Sequence, residues 1–193
     1  MSINVVDHPI IASKLSILRQ KSTPPTLFRQ TVHDISLLLG YEASRSLPTK
    51  TFAAESPVAP FTVALAPIMR AGIGMTDALL ALHPDASKVS LQPLPDKSSF
   101  EVCFVLDPMV ATAGTASAAL NMIKDSGVPI TNIKFIAIVA SESGLKTLLA
   151  EFPQLEVWTA AVDPELVTHN GEAGKIKPGL GDAGDRFFQT FGQ

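Results

Sequence analysis

An apolar run that ends in an acid and then opens onto small and hydroxylic residues occurs at Val105-Leu106-Asp107-Pro108-Met109-Val110-Ala111-Thr112-Ala113-Gly114-Thr115. A loop of this kind leading into a helix is an anion cradle. Free backbone N–H groups and the helix N-terminus attract a phosphate, and Thr112 and Thr115 add hydroxyl donors. Asp107, at the strand end, is placed to accept hydrogen bonds from sugar hydroxyls. The plainer alternative is a strand–turn–helix with Thr115 as its N-cap. A second stretch, Pro67-Ile68-Met69-Arg70-Ala71-Gly72-Ile73-Gly74, sets a lone arginine at another strand end. A guanidinium makes a planar fork on phosphate oxygens. A cation at a helix start opposes the helix dipole, a misfit that weighs against an idle surface arginine.

The third stretch is Pro178-Gly179-Leu180-Gly181-Asp182-Ala183-Gly184-Asp185-Arg186. Gly179 to Gly184 fits G-x-G-x-x-G, but a dinucleotide fingerprint needs a helix and an acid about 20 residues further on. Nine residues follow Gly184, so that reading fails, and the glycines are expected to bring backbone close to a ligand. Gly171-Glu172-Ala173-Gly174-Lys175 lacks P-loop spacing. His8, His33, His83 and His169 share no metal-ligand spacing and read as surface or capping residues. Cys103 and Trp158 read as core packing, and no G-x-S-x-G elbow is present.

Elements must hold these loops in place. Ile11, Leu15 and Leu18 keep helical spacing, and the first forty residues read as helical, broken at Thr23-Pro24-Pro25-Thr26. A second helix carries Phe28, Val32, Ile35 and Leu39 on one face, with Gly40 near its end. From residue 60 short apolar runs alternate with helical stretches. Strands are predicted at 62–66, 100–106, 133–140 and 156–162, with helices from Gly74 to Leu82, at 116–125 and at 143–151. Near-continuous apolar strands alternating with helices imply an α/β fold, a parallel sheet flanked by helices, whose ligands sit beyond the carboxyl ends of the strands. Residues 83–99 are turn-rich and 163–193 are mostly irregular.

The bulk properties narrow the function. The chain has 193 residues, 46% of them hydrophobic and 17% charged, with a net charge of −3. One domain is expected, with a core large enough to need no metal or disulfide. The charge balance argues against a nucleic-acid or membrane-surface binder. A single cysteine allows no internal disulfide. The apolar runs are far shorter than the ~20 residues of a membrane span. The first seven residues lack a basic n-region and a long apolar run, so a soluble intracellular protein is expected.

Taken together and in this order, the loops resemble the uracil phosphoribosyltransferase family. The resemblance runs from His8-Pro9 through Lys14-Leu15, Leu18-Arg19, Phe28-Arg29 and Leu38-Leu39-Gly40-Tyr41-Glu42-Ala43 to the Arg70 and Asp107 loops, and ends in Pro178 to Arg186. Asp107-Pro108-Met109 separates this family from relatives that carry two adjacent acids there. The resemblance implies a type I phosphoribosyltransferase fold with N-terminal helices and an irregular C-terminal hood. It implies a single domain over 1–193, with 60–162 as α/β core and 163–193 as uracil-binding segment. The implied reaction joins uracil to phosphoribosyl pyrophosphate (PRPP), giving UMP and diphosphate in pyrimidine salvage, with Mg²⁺. Carried over by position, Arg70, Ala71 and Gly72 hold the pyrophosphate. Asp107, Pro108, Met109, Val110, Ala111, Thr112, Ala113, Gly114 and Thr115 bind the ribose 5-phosphate side of PRPP. Ile176, Gly181, Asp182 and Ala183 frame uracil, Asp182 also facing PRPP, and Arg70 and Asp182 are the catalytic pair. No direct protein ligand to the metal is assigned. The resemblance further implies a cytoplasmic homodimer or larger homo-oligomer, with GTP as effector in some members.

The chain departs from that family in one long stretch and several single positions. Family members carry a longer, mobile segment with a Tyr-Arg pair between the Arg70 loop's helix and the Asp107 strand. Here residues 75–106 contain no Arg and no Tyr. Only Ser90-Leu91-Gln92-Pro93-Leu94-Pro95 is similar to the distal end of that segment, and Lys97 is a point charge rather than a fork. Ala113 replaces a glycine, Lys175 stands where the family has Tyr beside uracil, and Val167 to Ala173 carries a few extra residues. The alternative to an active enzyme is therefore a non-catalytic relative that binds nucleotide or PRPP, or partners an active paralogue. A sequence that lacks a segment is a third account.

Overall fold

The computed structural model describes residues 2–47, 62–88, 100–169 and 172–190. In chain order the elements are β1 (Ser2–Val5), α1 (Pro9–Arg19), α2 (Pro25–Ser44), β2 (Val63–Pro67), α3 (Ile73–Leu82), β3 (Ser87–Lys88), β4 (Val102–Leu106), β5 (Met109–Val110), α4 (Gly114–Asp125), β6 (Ile133–Ser141), α5 (Glu142–Glu151), β7 (Glu156–Asp163), β8 (Glu165–His169), β9 (Glu172–Lys177) and α6 (Ala183–Phe188). Of the turn-rich stretch 83–99, Ser87–Lys88 forms β3, and 89–99, with the Ser90–Pro95 likeness and Lys97, lies outside the described residues.

The predicted parallel sheet is present, with seven strands in the order β1-β7-β6-β4-β2-β3 and β5 pairing beside β6. All five residues of β4 and all nine of β6 are buried. Their runs are apolar without alternation because both faces are covered. On one face Ala64, Ala66, Cys103, Val105 and Phe135 meet Leu120 of α4 and Leu148 of α5. On the other, Leu65, Phe104 and Ile136 meet Phe28 and Ile35 of α2 and Leu79 of α3. Cys103 is a buried core residue, as expected, and burial pushes its thiol up to about 12. His8 accepts the Ile10 N–H at 3.1 Å as the α1 cap.

Three expectations need correction. The first forty residues are not all helical: Ser2–Val5 is a strand, paired in parallel with β7 at the sheet edge. It is too short and too exposed to leave a burial pattern in the sequence. Gly40 does not sit near the end of α2 as a stop. The helix runs on to Ser44, and a Cβ at Gly40 would lie 2.5 Å from Leu79 Cδ1, so the glycine lets α2 and α3 close together. The C-terminal region is not mostly irregular. β8 and β9 form an antiparallel hairpin, and α6 follows it.

The topology fixes where a site can lie. The chain passes from β2 outward to β3, then crosses back over to β4 on the other side of β2. This reversal between β2 and β4 is the switch point of an open α/β sheet, and the loops leaving both strands diverge there to leave a crevice.

Candidate active site

The crevice is a cleft of about 330 Å³, lined by Ile68 to Ala71 after β2, by Asp107 and Met109 to Ala116 after β4, and by Asp182 to Gly184. It brings together most of the residues predicted from sequence: Arg70, Ala71, Asp107, Met109, Val110, Ala111, Thr112, Ala113, Gly114, Thr115, Asp182 and Ala183. Gly72, Pro108, Ile176 and Gly181 do not line it. Gly184 lines it as the glycine loop was expected to, and Ile68, Met69 and Ala116 line it without having been assigned a role.

The absent four have other duties. The Gly72 N–H donates to the Ile68 carbonyl at 2.9 Å, and a Cβ on Gly72 would lie 2.3 Å from the Leu106 carbonyl oxygen and 2.6 Å from that of Ile68. Only glycine lets the Arg70 loop lie on the end of β4. Gly72→Ala is expected to destabilise the chain by about 3 kcal/mol, because the obstacles are backbone atoms that cannot rotate away. Thermal unfolding checks this, with a melting temperature lower by roughly 6–12 °C. The Pro108 carbonyl accepts the Ile138 and Val139 N–H groups at 3.1 and 3.0 Å and ties the loop to β6. Ile176 packs at the edge of the core on the α1–α3 face, and Gly181 adopts φ +73° beside Asp182.

The loop after β4 is held by contacts no single motif announced. Ser141, fully buried at the end of β6, donates its hydroxyl to the Ala111 carbonyl at 2.5 Å and accepts the Gly144 N–H at 2.9 Å. A Cβ at Gly144 would meet that same Ala111 oxygen at 2.2 Å. Across the loop, Gly174 of β9 leaves room for Thr112, whose methyl a Cβ would approach to 2.7 Å. Thr115 is not the N-cap of α4. The capping position falls to Ala113, at φ +70° in the left-handed region, with no side-chain cap bond. Ala113, where the resemblance implies a glycine, thus adopts a conformation that favours glycine. With no side chain capping it, the first turn of α4 directs its unpaired N–H groups and positive dipole end at the cleft.

The charged groups differ in setting. Arg70 is exposed, pairs with Asp185 at 3.3 Å and accepts company from Thr190, to whose hydroxyl it donates at 3.3 Å. Asp185 was missed by sequence reasoning, since nothing local joins it to a residue so far away in the chain. Asp182 is exposed and caps α6 by accepting the Asp185 N–H at 2.8 Å. Asp107 is half-buried, and desolvation pushes its carboxyl up to about 7, against a weak opposing bond from the Met109 N–H at 3.4 Å. Among the described residues no three His, Cys, Asp or Glu side chains gather to hold a metal, and no helix is long and apolar enough to cross a membrane.

A family model described as uracil phosphoribosyltransferase matches residues 5–190. The chain is 42% identical over 210 residues to the uracil phosphoribosyltransferase of Lactiplantibacillus plantarum, covering 96% of this chain and 97% of that one. It is 41% identical over 211 residues to that of Caulobacter sp. strain K31, covering 97% and 98%. Because 96% of 193 residues is about 185, roughly 25 of the 210 aligned positions of the first relative face gaps in this chain. Among solved structures, the AQ2163 protein from Aquifex aeolicus superposes with a TM-score of 0.84 at 26% identity over 98% of this chain and 99% of that one. The orotate phosphoribosyltransferase of Mycobacterium tuberculosis, solved with PRPP, shares the fold at a TM-score of 0.52 and 14% identity, over 83% and 96%.

Proposed function

The chain belongs to the uracil phosphoribosyltransferase family, and from that premise we propose that its cleft joins uracil to the ribose of PRPP, releasing diphosphate and giving UMP. The observation that carries this reading is the convergence of Arg70, Asp107, the uncapped start of α4 and Asp182 on one cleft at the sheet's switch point. The uncapped helix start, with Pro108 to Thr115, takes the 5-phosphate. Asp107 takes the ribose hydroxyls. Arg70, with Ala71 and Gly72 behind it, holds the diphosphate. Ile176, Gly181, Asp182 and Ala183 present uracil mainly through backbone groups. No nucleophilic side chain is required. Positive charge grows on the ribose and negative charge on the departing diphosphate, and fixed, well-placed charges lower that barrier.

Mg²⁺ fits this cleft as an ion that arrives on the diphosphate. The described residues offer it no cluster of protein ligands, and such ions keep waters and phosphate oxygens with one or two carboxylates. Asp182, exposed at the cleft, is the carboxylate that would join them. When bound, the ion neutralises charge on the leaving diphosphate. We read the chain as one catalytic unit with 60–162 as its core and 163–193 as its pyrimidine-binding segment. By resemblance it works in the cytoplasm as a homodimer or larger homo-oligomer, in a family of which some members take GTP as effector. The alternative of a relative without turnover draws no support from the matches.

The test is conversion of labelled uracil to UMP by the purified chain with PRPP and Mg²⁺. Turnover is expected, and Asp182→Asn is expected to lower it by about 100-fold. No UMP at any Mg²⁺ concentration would overturn the reading.

A further inference from the structure

Asp163 ends β7 and is almost wholly buried, yet it is not part of the cleft. Arg19, the last residue of α1, meets it with a two-pronged bond, at 2.7 Å to Oδ1 and 2.8 Å to Oδ2. Both partners then turn to one residue of the glycine loop, Gly179, and hold the two peptide units that flank it. Asp163 Oδ2 accepts the Gly179 N–H at 2.8 Å, and Arg19 donates to the Gly179 carbonyl at 3.2 Å. Gly179 itself sits at φ +56°, where a Cβ would lie 2.2 Å from the Ile176 carbonyl oxygen.

A second arginine fastens the same loop from its other side. Arg186 donates to the carbonyls of Leu180, Leu18 and Gln20, and its guanidinium lies 4.1 Å over the ring of the buried Phe28. The carbonyls at the end of a helix have no partners of their own. Arg186 uses that of Leu18, and of Gln20 just beyond it, to lock α1 against the loop.

We infer that Arg19 and Asp163 are positioning residues for the pyrimidine: their fork grips the backbone on both sides of Gly179 and so sets the backbone of Gly181, Asp182 and Ala183 against the base. This rests on the proposed role of that loop. Stability alone gives a poor account of the fork. A buried ion pair gains little over packed apolar side chains, because both charges lose their water. What a bidentate pair adds is direction, here delivered three residues before the loop reaches the cleft at Asp182. The phosphate side of the cleft is held separately, by Ser141 and Gly144 under Ala111. Loosening the fork therefore acts mainly on the pyrimidine and reaches PRPP only through Asp182.

The experiment compares wild type with Asp163→Asn and Arg19→Lys, each nearly isosteric and each unable to form the charged fork. Amide hydrogen exchange reads the loop directly, and the steady-state KM of each substrate reads its consequence. Exchange at Gly179 to Asp182 is expected to quicken about tenfold or more while β4 and β6 stay protected, which also shows that the variants fold. The KM for uracil is expected to rise about tenfold and that for PRPP by less than about threefold, with kcat falling several-fold because Asp182 moves with the loop. Unchanged loop exchange overturns the inference. So do KM values that rise together by the same factor or do not move. A wild-type chain that forms no UMP sinks the functional reading first. A wild type that turns over, with variants that leave the ratio of KM values alone, sinks this inference only.

Discussion

Arg70→Ala is expected to lower kcat/KM for PRPP by about 100-fold to 1,000-fold, the scale for removing a donor aimed at developing charge. Among the described residues lining the cleft, Arg70 is the one cation, and a departing diphosphate needs cationic partners. Arg70→Lys is expected to recover only part of the loss, because a point charge cannot bond two oxygens at once. In the free chain Arg70 rests on Asp185 at 3.3 Å. Exposed pairs of this kind contribute about 0–1 kcal/mol, so diphosphate displaces the carboxylate at small cost. Asp185→Asn is then expected to tighten PRPP a few-fold, opposite in sign to the Arg70 variants. Isothermal titration with PRPP and Mg²⁺ separates these effects from turnover. Unchanged PRPP affinity in Arg70→Ala would remove the role assigned to it.

Both strand-end loops were legible because they break a local rule. An arginine at a helix start and an acid closing an apolar strand each oppose the stability of their own element, and such conflicts mark functional positions. The parallel sheet was legible because β4 and β6 read as near-continuous apolar runs, with only Lys134 and the closing Ser141 of β6 as exceptions. β1 was not, since four half-exposed residues gain their pairing from β7, more than 150 positions away. The β8–β9 hairpin could have been found. Its strands end at His169 and resume at Glu172, leaving Asn170-Gly171, the strongest short hairpin signal. Composition hid it, because the glycines and charges around it look like loop. The Arg19–Asp163 fork and the Ser141 prop under Ala111 had no sequence signature. Each joins residues that only the completed sheet and helices bring together.

We read the roughly two dozen positions of the Lactiplantibacillus plantarum relative that face gaps here as falling largely in the mobile segment that the family resemblance implies between α3 and β4. A mobile cover excludes water and adds charge over the leaving group. A chain with less of it must draw more of its barrier lowering from groups fixed in the cleft, so substitutions at Arg70 and Asp107 should tell strongly.

Asp107→Asn is expected to make the chain more stable and less active, and the two effects should follow pH together. Burial raises the carboxyl from 3.8 to about 7. Between those values the folded chain holds a proton that the unfolded chain has released, so stability falls as pH rises from about 4 to 7. The penalty is up to about 4 kcal/mol above pH 7, at 1.36 kcal/mol for each pH unit of displacement. Asparagine carries no such penalty. The variant should therefore match wild type near pH 4 and melt several degrees higher at pH 8. Catalysis runs the other way. The ionised carboxylate accepts both ribose hydroxyls and faces the positive charge that grows on the sugar, and the amide accepts on one atom only. A loss of about 10-fold to 100-fold in kcat/KM for PRPP is expected at pH 8. Wild-type kcat/KM should climb as Asp107 ionises near pH 7, and that limb should be missing from the variant. The substrate's own phosphate titrates near pH 6, but it does so identically for both proteins, so the difference between the two profiles isolates Asp107. Parallel profiles, or equal melting temperatures at pH 8, would mean that the carboxyl neither bears the desolvation nor meets the ribose. A cleft that keeps a destabilising acid at its strand end, where asparagine would fold better, keeps it for the ionised form.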